Sequence, residues 1–110
     1  MFEAEIERGA KVLDKDDPGW ALENAKRPIG IKRLNMNSPF TCVLGQHDGD
    51  FIPGAKRLGL LDWDTYIAHG FAADDYSDYP QLTAEWRAFI RKRRRDARLA
   101  LSQTKGSKKP

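Results

Sequence analysis

Cys42 is the chain's single cysteine, and its histidines are His47 and His69. A thiol beside an imidazole is the minimal equipment for nucleophilic catalysis. Cys42, however, is followed by Val43 and Leu44. A thiol in that apolar setting reads as a small packing side chain, because free Cys is among the most buried residue types. His47, Asp48 and Asp50 carry metal-ligand atoms. A twelve-residue calcium loop starting at Asp48 places Gly59 where the bidentate Glu belongs, and a zinc site needs more Cys or His nearby. The expectation is a polar turn without metal. Asp62/Asp64 and Asp74/Asp75 pair carboxylates in turn-like sequence, with nothing to bring them into one cleft. Neither a G-x-G-x-x-G stretch nor a Lys-bearing phosphate loop can be written from this chain. The residues predict a non-enzymatic protein with no cofactor.

The strongest chemical signal is charge. Residues 91–98 read Arg-Lys-Arg-Arg-Arg-Asp-Ala-Arg, and Lys105, Lys108 and Lys109 follow. The net charge of +3 conceals a split: residues 1–90 carry 10 Lys/Arg against 15 Asp/Glu, and residues 91–110 carry 9 against 1, that is −5 and +8. Concentrated charge of this kind marks a partner-binding segment. Arg91, Lys92, Arg94, Arg95, Arg98 and Lys105 are the predicted contacts. Guanidinium groups offer a planar fork to phosphate and do not titrate. Nucleic acid held through its backbone is the first expected partner, and an acidic protein surface is the second. No aromatic residue interleaves the block after Phe89, so base stacking is not expected. It also lacks the Asn and Gln contacts of sequence-specific readout. The plain alternative is a solvated helix end.

The basic block needs an element to present it. Asp78 can cap a helix, with Pro80 in its first turn and Gln81 three residues on. Leu82, Trp86, Phe89, Ile90 and Ala97 recur at helical spacing. One helix from Asp78 to Ser102 is expected, with Trp86 buried against the first helix. Arg93 falls on the apolar stripe, so burial should stop near Ile90 and the basic part should project. Gln103 to Pro110 reads as a disordered tail.

The preceding chain predicts shorter pieces. Residues 3–15 form a first helix with Ile6, Ala10 and Leu13 on one face. Gly9 within it marks a close contact with another helix, since a mid-helix Gly otherwise costs about 1 kcal/mol. Residues 24–37 look irregular, with an apolar alternation at Ile29, Ile31, Leu34 and Met36 that suggests a short strand. Ser38-Pro39 should open a helix that buries Phe40, Val43 and Leu44 and closes near Gly45 or Gln46. Phe51 to Gly59 reads as a loop. Leu60, Leu61, Trp63, Tyr66 and Ile67 suit a short helix capped by Asp62 or Asp64 and ended by Gly70. Trp20, Trp63 and Trp86 are all expected in the core.

The fold class is therefore mainly α: a small irregular helical domain over residues 1–90, with a basic extension over 91–110. At 110 residues there is room for one core. One cysteine excludes an internal disulfide, no apolar run reaches a membrane span, and the acidic N-terminus is not a targeting peptide. A soluble, cytoplasmic protein with no membrane partner is expected.

Gly9-Ala10, Leu13-Asp14, Pro18-Gly19-Trp20, Leu34-Asn35-Met36, Cys42 to Gln46, His69-Gly70-Phe71 and Leu82-Thr83 with Trp86 occur in this order. The order resembles a set of small uncharacterised proteins from actinobacteria and their phages, over roughly residues 8–90. The resemblance implies a phage or actinobacterial setting, with the host cytoplasm as location. It brings no activity, cofactor or catalytic residue, and it does not extend to the Arg/Lys segment.

Overall fold

The computed structural model describes the backbone of residues 1–107 and the side chains of residues 1–102. Its helices are α1 (Glu3–Asp16), α2 (Val43–Asp48), α3 (Phe51–Arg57), α4 (Trp63–Ala68) and α5 (Tyr79–Ser107), with a 3₁₀ turn at Tyr76–Asp78 before α5. The protein is mainly helical, and no strand occurs among the described residues.

Helix α1 buries Ile6, Gly9, Ala10 and Leu13, the face its spacing predicts. Glu3 and Glu5 lie in its first turn, where the helix dipole favours negative charge. Gly9 is the point of closest approach. A Cβ there would collide with the His69 carbonyl oxygen and lie 3.0 Å from Phe71 Cζ. Beside it, Arg8 Nε donates to the Ala68 carbonyl at 2.7 Å. Gly70, at φ 73°, turns the chain under α1, where only glycine adopts the conformation cheaply. Gly9 does mark a close contact, but with the 69–71 turn rather than with another helix.

Residues 17–42 hold no regular element of any length, and the strand suggested by Ile29 to Met36 does not form. Its apolar residues are nevertheless buried: Trp20, Ala21, Ile29, Leu34 and Met36 are each 4% exposed or less. A strand needs a mate to satisfy its backbone. Here side chains from other elements take that role. Gln46 accepts from Gly30 N at 2.6 Å and donates to the carbonyls of Gly30 and Thr41. Thr83 Oγ1 accepts from Met36 N at 2.9 Å. Arg87 donates to the Ile31 and Leu34 carbonyls, and Arg94 to those of Ala21 and Ile29.

Two boundaries and two burial assignments differ from expectation. Ser38 does not start a helix; its hydroxyl accepts from Phe40 N and Thr41 N in a turn. That turn folds onto Gly45, where a Cβ would collide with the Pro39 carbonyl oxygen. Helix α2 therefore begins at Val43, and Phe40 is left 62% exposed. Phe51–Arg57 is helix rather than loop. Pro53 sits in its first turn, where amides lack intrahelical partners anyway, so the ring costs little. Trp63 opens α4, as the Asp62 cap requires, but is 49% exposed rather than in the core.

Leu82, Trp86 and Ile90 of α5 are fully buried. Trp86 stacks on Phe71 at 5.6 Å and meets Trp20 edge-on at 6.0 Å. Beyond Ile90 apolar burial ends, as expected, but contact with the body continues. Arg93 forks onto Asp14 at 2.7 and 2.9 Å and covers the Phe89 ring at 4.9 Å. Arg98 pairs with Glu23. The residues that read as a projecting extension are thus tied to the body for two turns past Ile90. The disordered tail expected from Gln103 is helix as far as Ser107, because α5 continues past Ser102; the side chains of residues 103–107, and all of residues 108–110, lie outside the described residues.

Candidate functional site

The basic residues of α5 do not form one surface. At roughly 100° per residue they fan around the helix, and the folded body sorts them. Arg93 faces α1 and is bound to Asp14. That pair holds the Asp14 carboxyl below its ordinary value, helped by the Trp20 indole, which donates to Asp14 at 2.8 Å. Arg94 is half-buried, and burial pushes its guanidinium below the usual arginine value. Lys92 points elsewhere, paired with Asp96 at 2.8 Å.

Arg91, Arg95 and Arg98 share one side, and Lys32 joins them from the irregular segment. With Arg94 as floor and Glu23 and Ile31 at the edge, they line a groove of about 430 Å³. Lys32, Arg91, Arg95 and Arg98 are all exposed. Arg91 has no side-chain partner among the described residues. Arg95 reaches Asp96 only at 4.0 Å. Arg98 is held by Glu23, an exposed pair that an incoming anion can displace at little cost. The groove therefore presents cations at i, i+4 and i+7 along a helix, with a fourth beside them. Steps of three and four residues advance about 4.5–6 Å.

Of the six predicted contacts, the structure brings Arg91, Arg94, Arg95 and Arg98 together and turns Lys92 away. Lys105 lies outside the described side chains. Lys32 carries no signal in the sequence. In the sequence it lies more than fifty residues from the block, and the Arg87, Arg94 and Thr83 bonds to the surrounding segment, with the burial of Ile29 and Leu34, carry it beside α5.

A second polar cluster replaces the expected turn at His47 to Asp50. His47 Nε2 meets Asp17 at 2.8 Å, and its Nδ1 meets Asp48. Asp48 pairs with Arg57 at 2.6 Å, and Arg57 also pairs with Asp16. The network ties the end of α1 to α2 and α3. No group of metal-binding side chains occurs among the described residues. Cys42 is 1% exposed, and its sulfur accepts from Gly45 N at 3.2 Å, so it caps α2. Burial pushes its thiol up, which disfavours the nucleophilic thiolate.

The His47 cluster makes stability depend on pH. Burial opposes the imidazolium, but the hydrogen bonds to Asp17 and Asp48 outweigh it and raise the pKa above 6.5. The folded chain then holds the proton more tightly than the unfolded chain. The contribution is complete below about pH 6.5 and is lost as pH rises through the folded value. Urea unfolding should show wild type losing stability as pH rises above about 6.5, and His47→Gln should flatten that loss. An equal loss in the variant counts against the assignment.

No family model matches the chain, and neither curated proteins nor solved structures give a match. Among the described residues no helix is long and apolar enough to cross a membrane.

Proposed function

We propose that this is a non-enzymatic accessory protein that binds nucleic acid through the groove on α5, by contact with the phosphate backbone. The observation that carries the reading is the convergence of Lys32 on Arg91, Arg95 and Arg98, from a site far away in sequence. A helix end charged only for solubility has no need of a fourth cation from another segment. Phosphates along a strand are spaced on the scale of one helical turn, so successive arginines can each meet one. The groove offers no aromatic platform and no amide side chain for base edges, which favours sequence-independent binding. Location in the cytoplasm, and a host cell if the chain is phage-encoded, are consistent with such a role.

A second reading, docking on an acidic protein surface, draws on the apolar residues that continue the helix. Leu99 and Leu101 are 55% and 61% exposed. Salt separates the two. Phosphate binding weakens steeply with salt through counterion release, and a mixed apolar contact does not.

The test is fluorescence anisotropy of a labelled duplex and a single strand at several salt concentrations. Lys32, Arg91 and Arg95 are changed together to Gln; Arg93 and Arg94 are kept because they hold the body. Losing three phosphate contacts on a duplex should reduce the log–log salt slope by about 2.7 and weaken all sequences alike. Absence of wild-type binding at low salt, where such contacts are strongest, overturns the reading in favour of a protein partner.

A further inference from the structure

Helix α5 has three sides. Leu82, Trp86, Ile90 and Arg93 meet the body, and Arg91, Arg95 and Arg98 line the basic groove. The third side carries Ala88, Phe89, Lys92, Asp96 and Leu99 in a stripe spaced by one, three and four residues. Lys92 and Asp96 are 66% and 52% exposed, and Leu99 is 55% exposed. The upper half of this stripe floors a groove of about 310 Å³ beside α1, walled by Glu3 and Glu7.

We propose that this third side is the interface between two copies of the chain, packed α5 against α5, antiparallel, about a twofold axis level with Arg94. The order of residues along the stripe carries the inference. In an antiparallel pair, setting Leu99 opposite Phe89 of the second copy sets Lys92 opposite Asp96. Symmetry repeats both contacts, as an isologous interface requires. A slip of one turn in one direction sets Lys92 against Lys92, and a slip in the other sets Asp96 against Asp96. Charge thus selects one register, as flanking charges do in paired helices. Self-complementarity of this kind has no use toward an unrelated partner, and it leaves the Arg91, Arg95 and Arg98 side open in both copies.

The experiment is sedimentation equilibrium on nucleic-acid-free protein, from about 10 to about 100 µM. Wild type should reach dimer mass. Lys92→Glu sets a carboxylate against Asp96 of the second copy, and Asp96→Lys sets an ammonium against its Lys92, so each variant alone should be monomeric. An equimolar mixture of the two lets the introduced carboxylate face the introduced ammonium, and should return to dimer mass. Circular dichroism confirms that each variant is folded, which its exposed positions favour. A monomeric wild type, variants that remain dimeric, or a mixture that stays monomeric overturns the proposal. None of these outcomes bears on the groove, whose binding is measured with different residues changed.

Discussion

Replacing Trp86 with Ala should lower the unfolding free energy by about 3–5 kcal/mol, the usual cost of deleting a large aromatic from a core. Its ring is fully buried between Trp20, Phe71 and Phe89, with centroids 5.6 to 6.0 Å away. The loss is more than volume. Trp86 Nε1 donates to the Gly70 carbonyl at 2.6 Å in a buried setting. Alanine leaves that carbonyl without its donor, which adds a desolvation cost. Trp86→Phe fills most of the space but not the hydrogen bond, so it should fall between wild type and alanine. Urea denaturation followed by far-ultraviolet circular dichroism measures the series. An alanine variant with an unchanged midpoint would mean that α5 is not docked through this ring.

Gly9→Ala should destabilise by about 1–3 kcal/mol or more, the range for forcing an extra group into a filled site. The sign is the informative part. Inside an exposed helix this change stabilises by up to about 1 kcal/mol. In α1 the added methyl meets the His69 carbonyl oxygen, and backbone cannot step aside as a side-chain tip can. The same methyl lies 3.0 Å from Phe71 Cζ, so relief by sliding α1 away would disturb the ring stacked on Trp86. A double variant with Trp86→Ala should therefore lose less than the two single losses combined, because the sites share Phe71. A stabilised Gly9→Ala protein would show that α1 does not rest on the 69–71 turn.

The sequence disclosed what depends on local period and local chemistry. The Leu82, Trp86, Ile90 stripe, the α1 face, the Asp62 cap and the Gly70 stop all involve residues within a few positions of one another. What it hid depends on distant partners. Ile29 to Met36 alternates like a strand because its apolar residues are buried, yet its amides and carbonyls are met by Gln46, Thr83, Arg87 and Arg94. Trp63 reads as core by residue type, and its place at the start of a short capped helix leaves it half in solvent. The arginines read as one block, and only the packed body shows that Arg93 and Arg94 serve the fold while Arg91, Arg95 and Arg98 remain available with Lys32.

The arginine bonds to the 21–34 segment also govern when the protein can be finished. The carbonyls of Ala21, Ile29 and Leu34 receive their donors from residues 87 and 94, which a ribosome adds more than fifty residues later. Proteins fold from the N-terminal end where they can as synthesis proceeds. The first forty residues are therefore expected to close only once the last helix is available to them. The last helix completes the fold that the earlier residues begin, and folding during synthesis should end in a single late step.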